Sequence, residues 1–264
     1  MKKNIYLSSL LVLGTLFSVS QLTVAEEAQG LNKTGTANVQ ITAGSDVITP
    51  PSTDPYPSTG PMLPVKDLGI TSATDLYFDA ISLTSTTTTR DALYVKSTGT
   101  PITNIGVVDN TDISKDDTVY TPGYSVTDRR GTGAGWNLTL TLGDFVEQNV
   151  ASDDTEHTLK GAQLSFPEIT PNTTKDASHS VAPTSFAKTF DAGGTAKVLM
   201  SAAKDQGMGL WEARYNSRAL ELSDGSTTEK KPIQLSVPGN NYAGQYQATL
   251  TWNLSDSPAA PTAE

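Results

Sequence analysis

The chain has no cysteine, and its 264 residues include only two histidines, His157 and His179. Stability must therefore come from a packed core rather than from disulfides. Zinc is poorly served too, because there is no H-E-x-x-H motif and no closely spaced pair of histidines. Positive charge is scarce: 18 Lys and Arg stand against 28 Asp and Glu, a formal net charge of -10. That balance argues against a nucleic-acid partner, which would need a basic face. A sustained 3.6-residue apolar period is also missing, so helix should be scarce. Beyond the N-terminal segment no apolar run approaches the roughly 20 residues of a membrane-spanning helix.

What is present starts with Lys2 and Lys3 ahead of an apolar run from Ile5 to Val19, with small residues at Thr23 and Ala25. This is the grammar of a secretory signal, so residues 1–25 are expected to be removed. Losing Lys2 and Lys3 leaves 16 basic against 28 acidic residues, or -12. An exported chain without cysteine suits a Gram-positive bacterial exterior better than a eukaryotic one. Residues 26–64 read as an N-terminal strand and a linker: Ala37, Val39 and Ile41 alternate weakly, as in a lone strand, and six prolines follow between Ala43 and Pro64. The main domain is expected over 65–257, long enough for one sizeable core, with a polar tail at 258–264. The tail carries no LPxTG-type sorting signal, so retention at a surface would be non-covalent.

Within 65–257 short alternating runs rich in Thr, Val, Tyr and Leu are separated by Gly, Pro, Asn and Asp clusters. Strands are expected at Leu76 to Leu83, Ala92 to Ser97, Ser125 to Asp128, Trp136 to Leu142 and Gln163 to Ile169. Others are expected at Ala196 to Ser201, Gly209 to Ala213, Ile233 to Val237 and Tyr246 to Leu254. Thr84 to Thr89 reads as a polar loop, and Ser201 to Gln206 as a single helical turn at most. The pattern predicts an all-β fold with little helix, an antiparallel β-sandwich of Ig-like or jelly-roll-like type.

Two segments stand out. In Trp136-Asn137-Leu138-Thr139-Leu140-Thr141-Leu142 every second side chain is large and apolar, and in Tyr246 to Leu254 the same rule places Tyr246, Ala248, Leu250, Trp252 and Leu254 on one face. Tryptophans on such a face usually fill a core, leaving Asn137 and Asn253 toward solvent. The alternative is that the two strands lie side by side and present the indoles as an aromatic platform for sugar rings.

The surroundings of these strands carry a resemblance. Asp128-Arg129-Arg130-Gly131-Thr132-Gly133-Ala134-Gly135-Trp136-Asn137-Leu138 is similar to a motif of the form DxRGTGxGWxL. Tyr246-Gln247-Ala248-Thr249-Leu250-Thr251-Trp252-Asn253-Leu254 is similar to YxxxLTWxL. The chain thus resembles the WxL-domain cell-surface proteins of Gram-positive bacteria, as do the Gly207 to Trp211 turn and the Ser255-Asp256-Ser257-Pro258 ending of the motif. The resemblance implies a non-catalytic protein attached non-covalently to the cell wall, with peptidoglycan as ligand. Other WxL proteins and membrane-anchored surface proteins would be its partners in a complex. It marks Trp136, Asn137, Leu138, Trp252, Asn253 and Leu254 as motif positions, binding or structural, with Asp128, Arg130, Gly131, Gly133 and Gly135 flanking them. An acidic protein would be repelled by teichoic acids, so wall attachment should use neutral glycan or peptide contacts, or cations. A different class of function remains open, an adhesin or subunit whose main ligand is a partner surface protein or a host matrix protein.

No catalytic residue emerges. His157 and His179 sit in polar loop sequence, there is no G-x-S-x-G elbow, and Ser180 beside His179 is poorly placed for a triad. Asp109, Asp112, Asp116 and Asp117, and separately Asp153, Asp154 and Glu156, form acidic stretches that lack EF-hand spacing and read as solvated loops. Gly131 to Gly135 lead into a strand rather than a helix, so they read as a turn that positions Trp136, with Arg130 free to pair with Asp128. No metal and no cofactor is expected.

Overall fold

A computed structural model of the chain describes residues 32–42, 67–96, 119–151, 155–173, 180–216 and 229–256. The signal-like segment, the proline-rich stretch, the Asp109 to Asp117 cluster, Asp153, Asp154, His179 and the tail 258–264 lie outside them. Among the described residues every helix or strand is a strand. In chain order these are β1 (Asn32–Thr42), β2 (Leu68–Ala73), β3 (Leu76–Tyr77), β4 (Ile81–Ser82), β5 (Thr88–Asp91) and β6 (Val95–Lys96). Next come β7 (Val119–Tyr120), β8 (Gly123–Asp128), β9 (Trp136–Leu142), β10 (Val146–Gln148), β11 (Gln163–Phe166) and β12 (Thr184–Ser185). The last are β13 (Lys188–Asp191), β14 (Lys197–Ala202), β15 (Gly209–Arg214), β16 (Gln234–Val237) and β17 (Gly244–Ser255).

The largest sheet runs β12-β14-β9-β17-β1-β3, with β10 also on β17 and β4 also on β1, and it curls into a half-barrel. A second sheet runs β13-β11-β16-β5, a third β15-β8-β2, and β6 pairs with β7. The expectation of an antiparallel architecture needs correction. Strand β1 pairs antiparallel with β17 from Asn32↔Asn253 to Ile41↔Gly244, but parallel with β3 and β4, so the sheet is mixed. The connection from Thr42 to Leu76 makes this possible, being far longer than the dozen or so residues a parallel crossover requires. Nor is β1 a lone strand, since it has partners on both sides.

The longest strands form where the apolar alternation is cleanest. Every second residue of β17 from Tyr246 to Leu254 is buried while those between are exposed or intermediate, as a strand with one face on a core requires. Strand β2 shows no alternation because Leu68 to Ser72 are buried on both faces. Its neighbour β8 is buried throughout. On the face of β8 away from Tyr124 and Val126, Ser125 Oγ lies 2.6 Å from both Thr71 Oγ1 and Ser72 Oγ, and Glu212, in register with Ser125, is fully buried and ion-paired with Arg214. The expected helical turn after Ser201 is instead a tight turn at Lys204 and Asp205, with Asp205 at φ 64°. The Thr-rich run expected as a loop ends in β5, which pairs with β16. Thr is well suited to a half-exposed strand.

Three sheets meet at Trp252. Its ring centroid lies 5.0 Å from that of Tyr124 on β8 and 6.4 Å from that of Phe166 on β11. Phe166 also makes edge contacts with Tyr215 at 5.4 Å and Phe190 at 5.7 Å. The hydroxyls of Tyr124 and Tyr215 lie 3.2 Å apart with neither ring exposed. Burial disfavours both phenolates, raising Tyr124 well above the ordinary 10.0 and pushing Tyr215 up to about 12.

A pH dependence follows. Both groups are neutral in either state below pH 10.0, so their packing stabilises the fold fully there. Above it the unfolded chain ionises first, and stability falls as pH rises through the folded values. Thermal unfolding measured from pH 8 to 12 should show a melting temperature that drops beyond about pH 10. A Tyr124→Phe/Tyr215→Phe double variant should drop less steeply, and an identical slope in the double variant would discount the pair.

Candidate functional site

Strands β9 and β17 are neighbours, paired from Leu250↔Leu142 to Ser255↔Asn137. Leu138 faces Leu254, and Leu140 faces Trp252. The two motifs therefore come together as expected, but the indoles point inward: Trp136 is 0% exposed and Trp252 is 1% exposed. They do not share one platform. Trp136 is level with the chain just beyond Ser255, four strand positions from the level of Trp252, on the order of 13 Å along the strands. Of the middle residues, Asn253 is exposed and donates from Nδ2 to Asn32 Oδ1 at 2.5 Å, whereas Asn137 is buried rather than turned to solvent.

Trp136 rests on the turn after β14. Its Nε1 donates to Gly207 O at 3.1 Å, and a Cβ on Gly207 would stand 2.9 Å from that nitrogen and 2.5 Å from Ala202 Cβ. With φ at 67°, only glycine fits there. Gly135, at φ 80°, lies so close to Ala202 that a Cβ would come within 2.4 Å of the carbonyl oxygen. Gly131 and Gly133 also have positive φ, and Gly133 O accepts the Asp205 N–H at 2.8 Å. The Gly-rich segment is thus a fitted turn, closed against the turn that receives Trp136.

Trp252 has a different setting. Gly35 lies beside it on β1, where an added Cβ would be 3.7 Å from Trp252 Nε1. That nitrogen is buried and finds no hydrogen-bond acceptor among the described residues. The indole is placed by its contacts with Tyr124 and Phe166 rather than by a polar anchor.

Arg130 connects the two motifs. Its Nε and Nη2 donate to Asp128 Oδ1 and Oδ2 at 3.0 and 2.9 Å, a bidentate pair with the carboxylate buried. The same Nη2 donates to Gly135 O at 2.8 Å, just before Trp136, and Nη1 reaches Asp256 O at 3.5 Å, just after β17. Hydrogen bonding to Asp128 raises the Arg130 pKa further, keeping the guanidinium charged. The pair suggested by the sequence is present, and its reach to both motif strands is a tertiary fact that spacing could not give.

His157 is half-buried rather than free in a loop. Its Nδ1 lies 2.7 Å from Glu147 Oε2, and its ring stacks on Tyr242 at 4.0 Å and 24°. Neither Glu147 nor Tyr242 stood out in the sequence, although Tyr242 opens the stretch that leads into the second motif.

The motif geometry predicts a graded series. Trp252→Ala should cost about 3–5 kcal/mol, and Gly207→Ala about 1–3 kcal/mol. Asn253→Ala, on the exposed face of the same strand, should stay within about 0.5 kcal/mol. Urea unfolding of the three variants checks the order, and a Trp252→Ala protein as stable as wild type would contradict a core role.

Searches of the curated proteins and of the solved structures find no match. Residues 28–258, spanning every strand from β1 to β17, match the model of the family described as WxL domain surface cell wall-binding. The chain therefore belongs to the WxL family, and it is a cell-wall-associated surface protein.

Proposed function

We propose that the protein is a non-catalytic binding module held on the wall by peptidoglycan, through surface side chains that are not those of its motif. The observation that carries this is the wall-binding family match over 28–258 together with the burial of both motif indoles. A wall-binding chain whose indoles are inside must use other groups for contact. In this reading Trp136, Leu138, Trp252 and Leu254 are framework, and Asp128, Arg130 and the three glycines close it. The sheets around Trp252 would then face one another in the manner of a sandwich, with the ring contacts among β8, β11 and β17 in support.

Peptidoglycan is favoured over teichoic acid by charge. At -10 the chain and an anionic polymer repel each other, whereas glycan and peptide present neutral contacts. Among the described residues no helix is long and apolar enough to cross a membrane. Membership of a complex with other WxL proteins and membrane-anchored surface proteins belongs to the same proposal.

Co-sedimentation of the mature protein with purified sacculi provides the test. Recovery in the pellet should rise with sacculi and should not fall when teichoic acids are stripped from them. Raising salt should weaken it little, since no net ion attraction drives it. Equal recovery with and without sacculi would sink the proposal.

A further inference from the structure

We infer that the stacked Tyr242–His157 pair is a carbohydrate contact for a neutral N-acetylated amino-sugar strand, an inference that rests on the wall-binding reading above. Among the described residues only two large apolar side chains are exposed, Val181 and Tyr242, and Tyr242 is the more open at 64%. Its ring is stacked on the imidazole at 4.0 Å, and most of the residue's surface stays in water beside that contact.

This exposure is not that of a loose loop. Between β16 and β17 the segment is fastened by Asn241, whose Oδ1 accepts the Lys160 N–H at 2.6 Å and whose Nδ2 donates to Pro238 O at 2.9 Å and Lys160 O at 3.1 Å. Tyr246 Oη donates to Tyr242 O at 3.1 Å from the first core position of β17. His157 is in turn oriented by Glu147 on β10, whose backbone N–H donates to His157 O at 2.8 Å. An apolar ring is thus held out toward water by three separate segments. Such a pre-positioned aromatic loses little conformational freedom on binding.

The side chains at the nearby strand ends bear on the choice of ligand. Gln148 and Gln245 are register partners on β10 and β17, and Asn149 Nδ2 donates to Gln245 Oε1 at 3.2 Å. All three are exposed amides at the strand ends, on the face of the sheet opposite Glu147, which is in register with Tyr246. A pyranose offers an apolar C–H face for the ring, and the hydroxyl and acetamido groups of further sugars along an extended strand suit amides at the strand ends. The Glu147 carboxylate that orients His157 would repel an anionic polymer here.

The test uses the mature protein, teichoic-acid-free sacculi and soluble β-1,4-linked N-acetylglucosamine oligomers. Tyr242→Ala should weaken sacculus binding about tenfold without moving the melting temperature, and Tyr242→Phe should retain it. Gln245→Ala, which leaves the stack untouched, should weaken binding by a smaller factor, and the oligomers should compete with sacculi for the wild-type protein. Wild-type binding matched by both Tyr242→Ala and Gln245→Ala would overturn this contact while leaving wall attachment standing. Competition by stem peptides alone would overturn the sugar assignment. A wild-type protein that fails to pellet with sacculi would instead bring down the wall-binding reading beneath it.

Discussion

The structure depends on the side-by-side pairing of β9 and β17 with their indoles turned inward. A chain without cysteine has no covalent tie between its distant segments, so the contact that unites them must be apolar and large. Trp252 supplies it by touching Tyr124 and Phe166, residues of two other sheets. Losing that ring would leave a void bordered by all three sheets, which is why its packing outweighs the cost of an indole N–H with no acceptor among the described residues, about 1–3 kcal/mol. Trp136 balances the account differently, with a hydrogen bond to Gly207 and a seat only a glycine can provide.

How far this arrangement can be read from residues depends on whether a position answers to its own strand or to a remote one. Strand β9 is legible to the residue, and β17 to within two at its start, because their alternation reports a single buried face. Strand β2 is not, since both of its faces are covered and nothing in Leu68 to Ser72 separates them. The weak signal of β1 has a particular cause: the positions opposite Trp252, Leu250 and Ala248 are Lys33, Gly35 and Ala37, and the small residues stand where the core is already filled by large neighbours. Asp128 and Arg130, two residues apart around one turn, could be paired from sequence. The Gly207 seat and the Tyr242 stack could not, because each is made by segments far apart in the chain.

The buried polar side of the β15-β8-β2 sheet follows the same logic. Ser125, Ser72 and Thr71 satisfy one another, and Glu212 is accompanied by Arg214 on its own strand. A buried ion pair contributes little net stability against an apolar pair of equal size, yet removing one member leaves a charge uncompensated. Only the hydroxyl contacts, which join β8 to β2, tie one strand to another here; the Glu212–Arg214 pair is made within β15.

Placing the motif inside separates two questions that its appearance merges. Where one indole is packed on Tyr124 and Phe166 and the other is hydrogen-bonded to Gly207, they have no free face with which to choose a ligand, and their spacing is dictated by packing. A family signature of this kind reports the fold and, through the fold, the place where the protein works. Ligand choice must then reside in groups that the fold holds outward without using them, and such groups are expensive to keep, since an exposed ring gains nothing from burial. Tyr242 is such a group: its loop is fastened by Asn241 and Tyr246, and its ring is stacked on an imidazole that Glu147 holds in place. Rigidity without burial is what a recognition surface needs and what a core does not. By that criterion the contact with the wall lies at the start of β17, away from the tryptophan whose strand it shares.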